Sequence, residues 1–472
     1  MERINPPSIR KGAAHLLGGS VVGRGLNFSL NTLLGRVLGP DSLGLLYLVL
    51  STAQTFEITT RGGVDYGLQC ELTGNSYSEK TDVEKKKVTE AAIRWVTVSS
   101  FIGVFVLFIW IYIIRGLIPS GLDNNHILTG LVVIAMCLFE SLGGLPWDIL
   151  IVYGKSRLVA LRQGFFAPLK LLGSLLLSYI IGIEGALIGY TTISIIQAFW
   201  LKLQIKEYLP KRVNYLAGWT KSFELVKSGI SLYLSNAASA LVFLPLMAFL
   251  GSSSGMNEVG FLRIGQLLSQ LFTLVPGAIS PLLFLKLRTT RSVVSNTFST
   301  IKAMTIVWTL GVIGLFAYLI LDVQIINILL GPDFLESVGP TRVLVMCSLI
   351  DSYSQIIYTP ILANKKTLMF SVVQIMSAII AGILGFILTP TAGIAGYLLA
   401  KLCFSWIPLL IYSFNLASSS EARHEISFQV LTLMILTELC WHQSVNLYWI
   451  AFALLFSATT TIMNIKWLLS KG

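Results

Sequence analysis

The sequence predicts an all-α polytopic membrane protein with about 14 transmembrane helices. Of its 472 residues, 54% are hydrophobic. Only 12% are charged, whereas a soluble globular domain carries roughly 25%. The hydrophobic residues also gather in segments close to the roughly 20-residue length of a spanning helix. Little of the chain is left over for a soluble domain.

Each predicted helix corresponds to one apolar segment, and the segments follow one another with short connections. The thirteenth is the weakest, because Glu438 lies near its end. The segments are 13–37, 41–60, 95–117, 127–152, 159–181, 184–203, 228–250, 257–285, 299–321, 339–362, 367–388, 391–416, 427–441 and 445–465.

The basic residues orient these helices. If the N-terminus is cytoplasmic, most of the 34 lysines and arginines fall in cytoplasmic segments, and the opposite loops clearly hold only Arg115. This asymmetry is the positive-inside pattern, and it predicts a multi-pass protein with both termini in the cytoplasm. A nucleic-acid partner is not predicted, because the positive charge is spread over many short loops and forms no single basic face.

The chain carries no recognisable catalytic or metal-binding motif. Its five cysteines do not suggest a disulfide framework, and its four histidines lack the spacing of metal ligands. No nucleophile elbow or phosphate-binding loop is present. We therefore expect a protein that is not an enzyme, with no metal and no cofactor.

Two pairs of segments indicate an internal repeat. Residues 38–56 resemble 250–272, and residues 153–200 resemble 362–406, with a Gly-Tyr pair at 189–190 and again at 396–397. We predict an N-lobe at 1–208 with helices 1 to 6, a C-lobe at 209–418 with helices 7 to 12, and two extra helices at 419–472. Because each lobe has an even number of helices, the lobes are parallel repeats, related by a pseudo-two-fold axis along the membrane normal. Two such lobes facing a central cleft suit transport by alternating access.

The turn between the first two helices carries a resemblance to a known family. The stretch "LLGRVLGPDSLGLLYLVLS" is similar to the multidrug/oligosaccharidyl-lipid/polysaccharide (MOP) exporter superfamily, and most similar to its Wzx-type polysaccharide and O-antigen flippases. Supporting stretches are "VGFLRIGQLLSQLFTLVPGAISPLLF", "GPDF" and "GIAGYLLAKL".

The resemblance implies a substrate and partners. The substrate is an undecaprenyl-diphosphate-linked glycan, the repeat unit of an O-antigen, capsule or exopolysaccharide, moved across the bacterial inner membrane. The partners it implies are membrane lipids, a polysaccharide polymerase and a chain-length regulator.

Four basic residues lie deep in predicted helices, where a charge costs roughly 2.5 to 3.5 kcal/mol on insertion scales. They are Arg24, Lys170, Arg263 and Lys401. The resemblance implies cavity arginines on helices 1 and 8, and so assigns Arg24 and Arg263 to the substrate diphosphate in the central cavity; Lys170 and Lys401 are further candidates. The alternative is that each cation pairs with a buried acid.

Other cations lie nearer the helix ends. Arg61 and Arg162 are close enough to the cytoplasmic ends for their side chains to reach the headgroups, and Arg36 and Arg342 are interpreted as anchors at the outer ends.

Uncharged polar residues and two acids complete the candidate site. Asn27, Asn31, Gln54, Gln266, Gln270 and Tyr353 suit either a sugar-binding cavity or hydrogen bonding between packed helices. Glu57 and Asp351 are candidates for carrying a coupling H⁺ or Na⁺, with ion pairing to Arg24 or Arg263 as the alternative. The prolines of "PGAISP" predict a kink in helix 8.

Two other functions remain open. A cation-coupled multidrug exporter of the same superfamily would have an anionic or apolar cavity, whereas the deep charges here lean cationic. A membrane polysaccharide polymerase or ligase would have a large outer loop, and the predicted outer loops here are about 17 residues or fewer.

Overall fold

A computed structural model describes residues 9–72, 81–112, 126–210, 219–289, 293–363, 367–416 and 420–441. All regular structure in these ranges is helical, which confirms the predicted fold class. Nine helical segments within them are long and apolar enough to cross a membrane. The predicted segment at 445–465 lies outside the described residues.

Two predicted spans are helical but are not among these nine. Val338–Ala363 carries Arg342 and Asp351 together with several serines and tyrosines, which lower its hydropathy. Ser420–Trp441 has an apolar stretch only from Gln429 to Glu438. The structure therefore has a helix at each of these two positions. Their composition indicates a membrane span less strongly than that of the other nine.

The helices of the first part of the chain are α1 (Ile9–Arg61), α2 (Val64–Glu71), α3 (Asp82–Tyr112), α4 (His126–Val152), α5 (Ser156–Leu161), α6 (Ala167–Gln204) and α7 (Trp219–Ser254). A π-helical turn at Arg162–Phe166 joins α5 to α6. The later helices are α8 (Met256–Ser269), α9 (Leu274–Thr289), α10 (Val293–Leu330), α11 (Val338–Ala363), α12 (Thr367–Ala392), α13 (Ile394–Leu416) and α14 (Ser420–Trp441).

Four glycines with positive φ separate the spans that the repeat pairs with one another. Gly39 (φ 73°) breaks α1 and Gly182 (φ 59°) breaks α6, so each of these long helices contains two predicted spans. Gly255 (φ 108°) and Gly393 (φ 55°) occupy the corresponding turns between α7 and α8 and between α12 and α13. Only glycine adopts such a backbone without steric cost, so the turns of the two sequence repeats share one physical device.

Large apolar side chains cover the outside of the helices. Ile180, Leu368 and Phe414 are each more than 70% exposed, whereas Trp147 and Trp308 are completely buried. A protein surrounded by water rarely exposes so much contiguous apolar surface. Hydrocarbon tails around the helices account for it, and the chain is a multi-pass membrane protein.

The described residues pack into two compact units, Met1–Ala248 and Phe249–Gly472. Most of α7 lies in the first unit, although the sequence repeat places helix 7 at the start of the C-lobe. The division at 208 and 418 stays a prediction from the repeat. Close packing against α2 is one of several contacts that α7 makes within the first unit.

A glycine seam, formed by Gly63, Gly67 and Gly229, joins α2 to α7. A Cβ atom added to Gly229 would overlap the backbone of Gly63 and lie 2.8 Å from the amide nitrogen of Gly67. A Cβ added to Gly67 would lie 2.7 Å from the carbonyl carbon of Leu225. The two helices therefore pack backbone against backbone, at a separation that no larger residue permits.

The interruption of the α-helix in helix 8 lies before the position at which the prolines predict a kink. The chain changes to a 3₁₀ turn at Gln270–Thr273, so that Pro276 falls in the first turn of α9. A proline there removes no needed amide, but it leaves the carbonyl of Phe272 without a helical donor. Ser352 supplies one, because its hydroxyl donates to the Phe272 carbonyl oxygen at 3.2 Å.

Candidate functional site

Lys170 lies in a buried ion pair in the first unit. Its ammonium group on α6 contacts the Glu140 carboxylate on α4, and the two side chains are 6% and 13% exposed. The same carboxylate oxygen accepts a hydrogen bond from Ser194, and the Lys170 nitrogen lies 5.2 Å from the centre of the Tyr190 ring. This arrangement favours the alternative interpretation of Lys170, a cation paired with a buried acid.

Lys401 also has an acidic neighbour, in a more open setting. Its nitrogen on α13 lies 3.3 Å from the Asp351 carboxylate on α11, with side chains 24% and 36% exposed. The nitrogen lies 4.8 Å from the centre of the Phe404 ring. Asp351 is thus paired with Lys401, a different cation from its predicted alternative partners Arg24 and Arg263.

Arg24 is half-buried on α1, one turn before Asn27. The Asn27 backbone carbonyl accepts a hydrogen bond of 2.7 Å from the Asn31 side chain, which is 4% exposed. Asn31 is therefore a buried residue that bonds to its own helix. The buried side-chain oxygen of Asn27 has no hydrogen-bond partner among the described residues, so it can accept one from a ligand or from water.

The second predicted cavity arginine, Arg263, is half-buried on α8 between the fully buried Leu262 and Ile264. Gln266 lies one turn further along and is also half-buried, and Gln270 is exposed in the 3₁₀ turn. These three side chains form a polar edge along α8 and the 3₁₀ turn that follows it.

Gln54 and Tyr353 differ in exposure. Gln54 is exposed on α1, which suits a residue that meets a ligand. Tyr353 is completely buried, with its ring edge-on to Trp308 at a centroid distance of 5.8 Å. Its surroundings favour helix packing over contact with a sugar.

Glu57 belongs to a charge cluster at one end of the first unit, formed by Glu57, Arg61, Asp65, Asp148 and Arg162. The Arg61 guanidinium contacts Glu57, Asp148 at 3.1 Å and Asp65 at 3.6 Å. Arg162, on the π-helical turn, lies 3.4 Å from Glu57. Three carboxylates share two guanidinium groups, and all but Arg162 have side chains less than 15% exposed.

The ion pairs of Arg61 and Arg342 were not expected from the sequence. Arg61 was expected to extend to the headgroups and Arg342 to anchor a helix end. Arg342 instead contacts Asp322, whose side chain is 3% exposed, and so links α11 to α10. The four-residue spacing of Glu57 and Arg61 was the available signal for the first pair; no comparable signal links Asp322 to Arg342.

Within the described part of the chain, no group of His, Cys, Asp and Glu side chains could hold a metal ion. The five cysteines are free thiols.

Solved structures share this fold along most of the chain. Similar to it are the lipid II flippase MurJ in an inward closed conformation (TM-score 0.72, 16% identity, 96% of this chain and 98% of that one) and an inward-facing multidrug resistance MATE family transporter of the MOP superfamily (TM-score 0.63, 13% identity, 84% and 95%). An outward-facing MATE family transporter also matches (TM-score 0.58, 14% identity, 87% and 96%).

No protein-family model matches the sequence, and no curated protein matches it either. The structures nevertheless confirm, at the level of the fold, the resemblance to the MOP exporter superfamily. The chain shares its fold with MurJ over 96% of its length and with the two MATE family transporters over 84% and 87%.

Proposed function

We propose that this protein is a flippase that moves a lipid-diphosphate-linked oligosaccharide across the bacterial inner membrane by alternating access, with both termini in the cytoplasm. The observation that carries the proposal is a pair of half-buried arginines, Arg24 and Arg263, on helices of a lipid II flippase-like fold. A charge inside a span is costly and commonly marks a substrate pathway.

The chemistry of the arginines suits a diphosphate. A guanidinium group is always charged and presents a planar set of donors that matches phosphate oxygens. In this proposal Arg24 and Arg263 bind the diphosphate, and Lys401 adds a third cation. The buried ion pair with Glu140 favours a structural role for Lys170. Asn27, Gln54, Gln266 and Gln270 are the polar residues best placed to meet sugars, since none of them is fully buried.

Replacement of either arginine tests the proposal. In a strain that lacks the gene, Arg24→Ala and Arg263→Ala are each expected to reduce surface glycan about 10- to 100-fold, because loss of one charge-assisted contact is worth roughly 1.5 to 3 kcal/mol. Arg24→Lys keeps the charge but lacks the planar donors of the guanidinium group. Its surface glycan should lie between that of Arg24→Ala and that of the wild type. Surface glycan is measured per copy of protein inserted in the membrane.

Arg36→Ala is the matched control, since Arg36 lies on the same helix but is exposed. Its glycan level should stay near that of the wild type. Normal surface glycan from inserted Arg24→Ala and Arg263→Ala proteins would contradict the diphosphate contact.

The MATE structures support a second candidate, a cation-coupled multidrug exporter. That function predicts resistance to cationic drugs, which the flippase proposal does not, and the cationic residues inside the spans oppose it. A coupling ion remains part of both proposals. Dependence of transport on a Na⁺ or H⁺ gradient, and its loss in Glu57→Gln or Asp351→Asn, would identify the coupling residue.

The proposed flippase would work with a polysaccharide polymerase and a chain-length regulator. Co-purification of either with the intact protein from its own membrane tests that partnership.

A further inference from the structure

Lys401, which pairs with Asp351, occupies a position that has a counterpart in the first sequence repeat. Each sequence repeat has a Gly-Tyr pair, and four residues after the tyrosine the first repeat has Ser194 and the second has Lys401. Ser194 donates to a carboxylate on α4, and Lys401 contacts a carboxylate on α11. In each unit, therefore, the residue four positions after the tyrosine contacts a carboxylate on another helix: Ser194 contacts Glu140, and Lys401 contacts Asp351.

The two acids also correspond in sequence. Glu140 lies 15 residues before the basic residue Lys155, and Asp351 lies 14 residues before Lys365 in the matching loop. In the first unit the cation comes from a different position, Lys170, and the repeat position holds a serine. In the second unit the repeat position itself supplies the cation.

The two pairs differ in exposure. Glu140 receives both an ammonium and a hydroxyl donor, and the side chains of its ion pair are 6% and 13% exposed. Asp351 contacts Lys401 at 3.3 Å, with the two side chains 24% and 36% exposed. Charges part-exposed on membrane helices face water or a protein cavity, because hydrocarbon solvates them poorly. The first pair is closed to ligands and the second is open to them.

An open pair of this kind can exchange partners. A diphosphate offers more charge and more acceptor oxygens than one carboxylate, so it competes for the lysine. The carboxylate left behind repels a bound diphosphate, because like charges brought together cost free energy. A transporter needs both effects, since a substrate bound too tightly is not released.

We propose that Asp351 is an internal substitute for the substrate anion: it holds Lys401 when the site is empty, gives it up to the diphosphate of the lipid-linked substrate, and takes it back on release. This inference rests on the proposed function. It makes Asp351 a residue that lowers affinity and speeds release, a role distinct from carrying a coupling ion.

Binding of farnesyl diphosphate to the purified full-length protein tests the proposal. Asp351→Asn is expected to bind about tenfold more tightly than wild type. The variant has no carboxylate to compete with the diphosphate for Lys401 or to repel the bound diphosphate. Lys401→Met should bind about tenfold more weakly. The double variant should bind more tightly than Lys401→Met, but by less than the tenfold gain of Asp351→Asn alone, because without Lys401 only the repulsion by Asp351 is left to remove. Inorganic diphosphate, measured in parallel, shows whether the headgroup alone produces the same pattern.

Glu140→Gln is the matched control, and its affinity should equal that of wild type because its pair is closed to ligands. Elution as a folded protein by size exclusion is required of every variant. This inference would be overturned if Asp351→Asn bound farnesyl diphosphate no more tightly than the wild type. If Arg24→Ala bound more weakly than the wild type in the same experiment, the proposed function would still stand. Absence of binding by the wild type would overturn both.

Discussion

Replacement of Arg61 by alanine is expected to destabilise the protein by about 3 to 5 kcal/mol, the cost typical of breaking a buried ion pair on one side. Its guanidinium contacts three carboxylates, of Glu57, Asp65 and Asp148. Without Arg61, those acids would share only Arg162, which contacts Glu57 alone among them. Thermal unfolding of the detergent-solubilised protein should show a clearly lower midpoint.

Two further substitutions separate charge from geometry in this cluster. Arg61→Lys keeps the charge, but one ammonium group cannot contact all three carboxylates as the guanidinium group does. Its unfolding midpoint should lie between those of Arg61→Ala and the wild type. Arg61→Ala combined with Asp148→Asn should recover part of the loss, because one unpaired acid is removed. Arg36→Ala is the exposed control. A midpoint for Arg61→Ala equal to that of Arg36→Ala would contradict the argument.

Most of the spanning helices could be predicted because hydropathy decides them. A backbone in lipid must satisfy its own hydrogen bonds, so an apolar segment of spanning length becomes a helix whatever its neighbours are. The turns at Gly39 and Gly182 were predicted from loop composition. The backbone has a positive φ at both positions, which explains why both are glycine. These features depend on local sequence, which is fully visible in one chain.

The pairing of charges could not be predicted in the same way. Arg61 was judged by its depth along the helix, but its partner Asp148 is 87 residues away and lies on another helix. Which face a side chain occupies depends on the rotation of packed helices, and periodicity is weak in spans that are apolar on all sides. The same uncertainty left Lys170 with several acids to choose from, of which the structure selects Glu140.

The glycine seam was also invisible in the sequence. Glycine is frequent in membrane helices, so Gly63, Gly67 and Gly229 carried no signal that distinguishes them from the others among 40 glycines. Only the approach of α2 to α7 shows that these three have no space for a side chain. Because the two backbones meet directly at these glycines, the seam is a sensitive point.

Gly229→Ala is therefore expected to destabilise the first unit by about 1 to 3 kcal/mol, the usual cost of overpacking. The new Cβ would overlap the Gly63 backbone and approach the Gly67 nitrogen to 2.8 Å. Backbone atoms cannot rotate away as a flexible side chain can, so α2 and α7 must separate and lose their contacts. Gly229→Leu should lower the unfolding midpoint further.

Gly143→Ala on α4 separates steric overlap from the general effect of adding a methyl group. A Cβ at Gly143 would meet its nearest neighbours, Gln197 and Ala198, at 3.7 Å, an ordinary van der Waals distance. Alanine is also the better helix former by about 1 kcal/mol, so this variant should be as stable as wild type or more so. If Gly229→Ala and Gly143→Ala had the same midpoint, the seam would tolerate a side chain and the close approach of α2 to α7 would not limit the stability of the first unit.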